Sequence, residues 1–221
     1  MEIYFVRHGE PNYELDNLTE LGKVQAEKTS IFLNQIDYDL YFASPCGRAK
    51  ETASYLCNKK GVVPTIVDWA NEGVAFQLFG FHNEIYNERR WIFFSPRAMK
   101  VLHSLRDDFE WYNHPMFEGY DFKNSIKYYN EEIDKWFESL GIHHDRTSKT
   151  YTKIEGEDIP DRVILFAHGG MCYAFLSSVL DLPYSFVATH FTHMDLCGVN
   201  KFTVDLEAKT ILLNKYNEIH Y

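Results

Sequence analysis

Residues 1–10 read Met1-Glu2-Ile3-Tyr4-Phe5-Val6-Arg7-His8-Gly9-Glu10, and residues 162–170 read Arg162-Val163-Ile164-Leu165-Phe166-Ala167-His168-Gly169-Gly170. Each is a short apolar run that ends on a histidine followed by glycine. Runs of this length, rich in β-branched and aromatic residues, predict strands buried on both faces, as in the interior of a parallel sheet. Ligands of open α/β sheets occupy the crevice beyond the carboxyl ends of the strands. A histidine at each of two such ends, one beside Arg7, therefore points to a site for an anion.

The segments around these runs extend the same alternation. Thr19 is placed to cap a helix whose apolar positions Leu21, Val24, Ile31, Phe32 and Leu33 have helical spacing and which ends near Asn34. Residues 39–45 (DLYFASP) predict a second strand. A helix from Gly47 through Ala49, Ala53, Tyr55 and Leu56 is expected to stop at Gly61. A third strand is predicted over 64–69. After His168, an apolar helix runs toward Pro183, and the last two apolar runs, 196–205 and 209–216, read as a closing hairpin. The fold class expected is α/β, a three-layer sandwich with a central, mostly parallel sheet flanked by helices.

The middle of the chain breaks this rhythm. A single domain over 1–221 is expected, with an aromatic-rich helical insertion or lid at about 73–158. Residues 69–137 hold 18 of the 36 aromatic residues, including Trp69, Trp91, Trp111 and Trp136. Phe122, Ile126, Tyr129, Ile133, Trp136, Phe137 and Leu140 recur at three- and four-residue spacing, which predicts a long amphipathic helix ended by Gly141. The polar stretch 143–161 predicts a surface loop.

Composition narrows the function. A formal charge of -10 excludes a surface built for nucleic acid or anionic membrane, which needs a net basic face. No stretch approaches the roughly 18 apolar residues of a membrane span, and charged residues interrupt the N-terminus before a signal-peptide core forms. Cys46, Cys57, Cys172 and Cys197 are scattered, as expected in a reducing compartment, so a cytoplasmic location is expected. His190 and His193 are three apart but have no third ligand at a supporting spacing, so neither a metal nor a cofactor is expected. An anionic ligand must then be held by a few local cations.

Three motifs meet this need: Arg7-His8-Gly9, the 44–49 stretch Ser44-Pro45-Cys46-Gly47-Arg48-Ala49, and His168-Gly169-Gly170. Together with Leu18-Thr19-Glu20-Leu21-Gly22 and Thr52-Ala53 they resemble, in order, the motifs of the histidine phosphatase superfamily, also called phosphoglycerate-mutase-like. The resemblance covers the first 70 residues and the last 60 or so. It implies a phosphomonoester hydrolase in which His8 is the nucleophile and forms a phosphohistidine. Arg7, Arg48, His168 and Gly169 would hold the phosphoryl oxygens, and Glu72 would serve as general acid and base, with Glu84 and Glu88 as poorer substitutes. The partner implied is a small phosphorylated substrate. Imidazole is partly free base near neutrality, and covalent catalysis divides one difficult displacement into two easier ones. Two alternatives are a phosphoglycerate-mutase-type phosphoryl transfer and a non-catalytic, phosphate-dependent binding protein. The sequence departs from the family where many members have an asparagine six residues after the nucleophile. Glu14 stands there, with Asn12 and Asn17 out of register, and this weakens the mutase alternative. Residues 69–91 supply Trp69, Phe76, Phe79, Phe81 and Trp91 as candidates for the wall that selects the leaving group.

Overall fold

In the computed structural model, which describes residues 1–221, six strands form the central sheet. They are β1 (Glu2–Arg7), β2 (Leu40–Ala43), β3 (Thr65–Ile66), β4 (Arg162–Ala167), β5 (Val199–Asp205) and β6 (Thr210–Glu218). Their order across the sheet is β6-β5-β1-β4-β2-β3. The four strands β1, β4, β2 and β3 are parallel, while β5 and β6 close the other edge as the antiparallel hairpin expected from the sequence. Strand register gathers the functional ends. Arg7 lies opposite Ala167, and Phe166 opposite Ala43, so His8, His168 and Ser44 leave the sheet side by side at one edge.

Seven helices cover the sheet: α1 (Glu20–Leu33), α2 (Gly47–Lys60), α3 (Glu72–Phe79), α4 (Pro96–Ser104), α5 (Phe122–Glu138), α6 (Gly169–Val179) and α7 (Tyr184–His190). Side chains alternate along β1 with the period of a pleated strand. Tyr4 and Val6 join Leu33, Ala53, Leu56, Ile164 and Phe166 under α1 and α2. Ile3 and Phe5 enter the larger core on the opposite face with Phe42, Leu165 and Phe175. The aromatic residues of the middle segment belong to this same core: Trp136 packs on Phe42, Trp69 and Phe175. The result is the three-layer α/β sandwich expected.

Three local expectations are corrected. The predicted strand at 64–69 pairs only over Thr65–Ile66, because a 3-10 turn at Asp68–Ala70 bends the chain and drops Trp69 into the core. Helix α1 forms and is capped by Thr19, which accepts from the Gly22 amide, but its apolar stripe faces outward. Leu21, Val24 and Ile31 are 54%, 50% and 55% exposed, while Gly22, Gln25, Ala26, Thr29 and Ser30 are buried with Leu33. Small residues let this helix dock closely: a Cβ at Gly22 would strike the Glu10 carbonyl oxygen. The polar stretch that predicts a loop instead begins as a hairpin, Ile142–Asp145 with Thr150–Lys153, whose Tyr151 is buried.

That hairpin is anchored by charge. His144 is buried with Nδ1 3.1 Å from Asp134 Oδ1 and Nε2 2.9 Å from Asp181 Oδ2. Both nitrogens face carboxylate oxygens, so both carry protons and the ring is an imidazolium. Burial opposes that charge, but the hydrogen bonds to Asp134 and Asp181 outweigh it and raise the pKa above the ordinary value. Arg146 grips the same Asp134 through Nε and Nη2. A group with a raised folded-state pKa stabilises fully below its unfolded pKa, near 6.5, and loses that contribution as pH climbs through the folded value. Removing one partner of a buried ion pair typically costs about 3–5 kcal/mol. His144→Gln is therefore expected to lower stability by about 3 kcal/mol near pH 6, and chemical denaturation should show the gap from wild type closing as pH rises. A gap that widens with pH would contradict the imidazolium assignment.

Candidate active site

The site begins with the orientation of His8. Its ring is fully buried, and Nδ1 lies 2.7 Å from the Gly9 carbonyl oxygen. A carbonyl only accepts, so Nδ1 carries the proton and Nε2 presents a lone pair. Nε2 is buried and has no hydrogen-bond partner. Burial, reinforced by the nearby Arg7 and Arg48 cations, pushes the His8 pKa down to about 3 despite the Gly9 bond, leaving free imidazole at neutral pH. The Gly9 amide donates to Thr52 Oγ1, 3.1 Å away, and that hydroxyl donates to the Arg48 carbonyl, 2.8 Å away. The threonine of the 44–53 motif thus fastens the loop carrying His8 to α2.

His168 stands beside it, with ring centroids 5.0 Å apart. Its Nε2 is 2.8 Å from Ser44 Oγ. Its Nδ1 is turned toward Glu72 Oε2, the carboxylate oxygen that accepts from Arg48, so Nδ1 carries the proton and Nε2 accepts from the serine hydroxyl. That buried Nδ1 has no hydrogen-bond partner and lies 3.5 Å from Glu72 Oε2. Burial, with repulsion from His8, Arg48 and Arg7, holds the His168 pKa well below its ordinary range. Helix α6 starts at Gly169 with no side-chain cap, so its first-turn amides are available to an anion at the same edge.

Two arginines complete the floor. Arg7 is anchored by a bond from Nη1 to the Met194 carbonyl, and its buried Nε is unpartnered. Arg48, at the start of α2, donates Nη2 to Glu72 Oε2 at 2.7 Å and Nη1 to Asp16, while its Nε is also unpartnered. Four buried polar atoms, Arg7 Nε, His8 Nε2, Arg48 Nε and His168 Nδ1, therefore await partners at one sheet edge. Unsatisfied buried polar groups on this scale are costly unless a ligand meets them. Glu72 opens α3, capped by Asn71, which accepts from the Gly73 amide. Its side chain is the carboxyl group that faces both Arg48 and His168. Glu84 bonds Ser95 and the Arg97 amide instead, and exposed Glu88 pairs with Arg90, so neither joins the cluster. His8, Glu72 and His168 each bring a donor atom to within 4.8 Å of the others, a spacing at which they can also share a metal ion. The adjoining arginine cations favour an anion there.

Sequence reasoning missed Asp16 and Tyr13. Asp16 accepts from the Gly47 amide as well as from Arg48, and these bonds outweigh its burial and lower its pKa. Tyr13 sets its ring 5.3 Å from the Arg48 guanidinium. Glu14, at the position where the family has asparagine, is exposed and serves a turn in which its amide donates to Asn12. His193 lies against Gly169 beside Arg7, where burial and the Arg7 charge push its pKa down to about 4. It is a neighbour of the site rather than a metal ligand with His190, which stands at the end of α7 and is exposed.

Comparison with known proteins identifies the family and the fold. The profile of the histidine phosphatase superfamily (branch 1) matches residues 3–75 and 109–217. Comparison with curated protein sequences yields no match. Among solved structures, a mycobacterial glucosyl-3-phosphoglycerate phosphatase is similar at TM-score 0.63 and 21% identity over 98% of both chains. A phosphoserine phosphatase from Entamoeba histolytica, in complex with 3-phosphoglyceric acid, aligns at TM-score 0.60 and 14% identity over 98% of this chain and 96% of its own. An alpha-ribazole phosphatase from Shigella flexneri aligns at TM-score 0.59 and 15% identity over 99% and 96%. No helix is long and apolar enough to cross a membrane. With the motifs at one sheet edge and the profile spanning both halves of the sheet, the chain belongs to the histidine phosphatase superfamily.

Proposed function

We propose that the protein is a metal-independent phosphomonoester hydrolase that works through a phosphohistidine on His8. The observation that carries this reading is the buried His8 ring, proton fixed on Nδ1 by Gly9, with an unpartnered Nε2 among two arginines, a second histidine and one carboxyl group. In the first step Nε2 attacks phosphorus, the ester P–O bond breaks, and Glu72 gives its proton to the departing oxygen. In the second, water attacks the phosphohistidine, Glu72 takes the water proton, and the P–N bond breaks to restore His8 and release inorganic phosphate. Arg7, Arg48, His168 Nδ1 and the Gly169 amide hold the phosphoryl oxygens, the electrostatic share that dominates such reactions. The segment 73–158, taken as an insertion within one domain, supplies the wall on the leaving-group side. Small phosphorylated molecules are the substrates in this reading.

Rapid alkaline quenching of enzyme with labelled substrate should trap protein-bound phosphate that survives base and is lost in acid, as a phosphoramidate is. Absence of any such species in single-turnover time courses would overturn the mechanism. The state of the nucleophile gives a second check. Because its pKa is pushed to about 3, the His8 ring resonances should not move between about pH 5 and 8, where an unperturbed histidine titrates. A His8 titration midpoint near 6.5 would show that the nucleophile must first lose a proton.

A further inference from the structure

We propose that the cleft beside Glu72 is a leaving-group site for an aromatic ring, so that the preferred substrates are phosphomonoesters with an uncharged or cationic mono- or bicyclic aromatic group. This rests on the phosphohydrolase reading and extends it to substrate class. The cleft has a volume of about 400 Å³ and is lined by Tyr13, Arg48, Glu72, Gly73, Phe76 and Trp91. It shares Arg48 and Glu72 with the phosphoryl site. The departing oxygen must lie near Glu72, so the group attached to that oxygen extends into this cleft.

The walls are aromatic on both sides. Phe76 and Trp91 meet edge to face at 5.4 Å, and Trp91 is stacked on Phe93 at 5.5 Å, which in turn packs on Tyr173. Trp91 lies directly over the start of α6: a Cβ at Gly170 would fall inside its indole, so that glycine makes room for the ring two residues after His168. This wall is therefore held from behind. Tyr13 is 67% exposed and contributes the second aromatic face, with its ring against Arg48. Exposed aromatic surface next to a reaction centre gains by stacking on a flat ligand.

Charge sets the rest of the preference. Arg48 is the only cation in the lining, and it is already shared by Asp16 and Glu72. A leaving group that carries its own carboxylate gives up hydration and finds no free cation in the cleft to replace it. Phosphorylated hydroxy acids are accordingly disfavoured relative to aryl or arylmethyl phosphates.

Phosphonates test this without involving leaving-group reactivity, since their P–C bond is not cleaved. Benzylphosphonate, propylphosphonate and 3-carboxypropylphosphonate would be compared by calorimetric titration, a readout independent of turnover. Stacking of one ring is worth about 10- to 100-fold in affinity. Benzylphosphonate should bind tighter than propylphosphonate by about that factor, and the carboxylate compound weakest. Trp91→Ala should bring the ratio of benzyl to propyl affinity close to one, and Tyr13→Ala, at an exposed position that does not threaten folding, should reduce it severalfold. Equal affinities in wild type, tightest binding of the carboxylate compound, or a ratio unmoved by Tyr13→Ala would overturn the proposal. Wild-type protein that shows the expected affinities but hydrolyses no phosphomonoester would instead count against the catalytic reading and leave the aromatic site standing.

Discussion

His8→Ala lowers kcat/KM for phosphomonoester hydrolysis by at least about 10⁴-fold, the scale on which enzymes lose rate when a covalent nucleophile is removed. The expected loss is that large because no neighbour can take over. His168 is the other imidazole within reach, but its Nε2 is occupied by the Ser44 hydroxyl and its Nδ1 carries the donor proton. The remaining residues, Arg7, Arg48 and His168, keep their positions, since Arg7 is held by Met194 and Arg48 by Asp16 and Glu72. Inorganic phosphate should therefore still bind to His8→Ala protein within about tenfold of wild type, placing the deficit in kcat. Steady-state rates with a phosphomonoester panel, paired with calorimetric binding of phosphate, check both halves. Activity above about a tenth of wild type would remove His8 from the role of nucleophile.

Glu72→Gln separates proton transfer from charge. The amide keeps the shape of the side chain and a carbonyl oxygen for Arg48, but it can no longer shuttle a proton. General acid catalysis contributes about 10²- to 10⁴-fold, so kcat for an alkyl phosphate should fall by that range. With p-nitrophenyl phosphate the leaving phenolate is stable without a proton, and the first step should be slowed far less. A burst of nitrophenol followed by slow turnover is expected, because attack by water on the phosphohistidine still needs the base. Pre-steady-state absorbance measurements distinguish the cases. Equal losses for alkyl and nitrophenyl substrates would show that Glu72 acts through Arg48 as a positioning residue, consistent with their 2.7 Å contact, and not as the acid.

Much of this site is legible in one dimension because each motif residue also serves local structure. Thr19 caps α1, Gly22 lets that helix approach the backbone of Glu10, and Thr52 ties the His8 loop to α2. The cap joins residues three apart, and although Gly22 and Thr52 act on Glu10 and Gly9 farther off, their motifs announce them without knowledge of those partners. The misreadings share the opposite character. The outward apolar stripe of α1, the early end of the third strand at Ile66 and the hairpin at 142–153 are each decided by groups far along the chain. Helical spacing marks Leu21, Val24 and Ile31 as a buried face, yet close docking favours the small side chains on the other side. His144 and Arg146 look solvent-seeking until Asp134 and Asp181, from α5 and the turn after α6, arrive to pair with them.

The alternation of strands and helices, the strand ends that carry His8 and His168, and the helix start that carries Arg48 can all be read from the sequence alone. Hydrophobic period, caps and turns are local, and they act through short-range sterics and hydrogen bonds. It takes the folded chain to show that Arg7 and Ala167 share a register, that Asp16 and Tyr13 reach Arg48, and that Trp91 seats on Gly170. Those contacts join residues up to 160 positions apart. They are set by strand pairing and close packing, which no local pattern encodes.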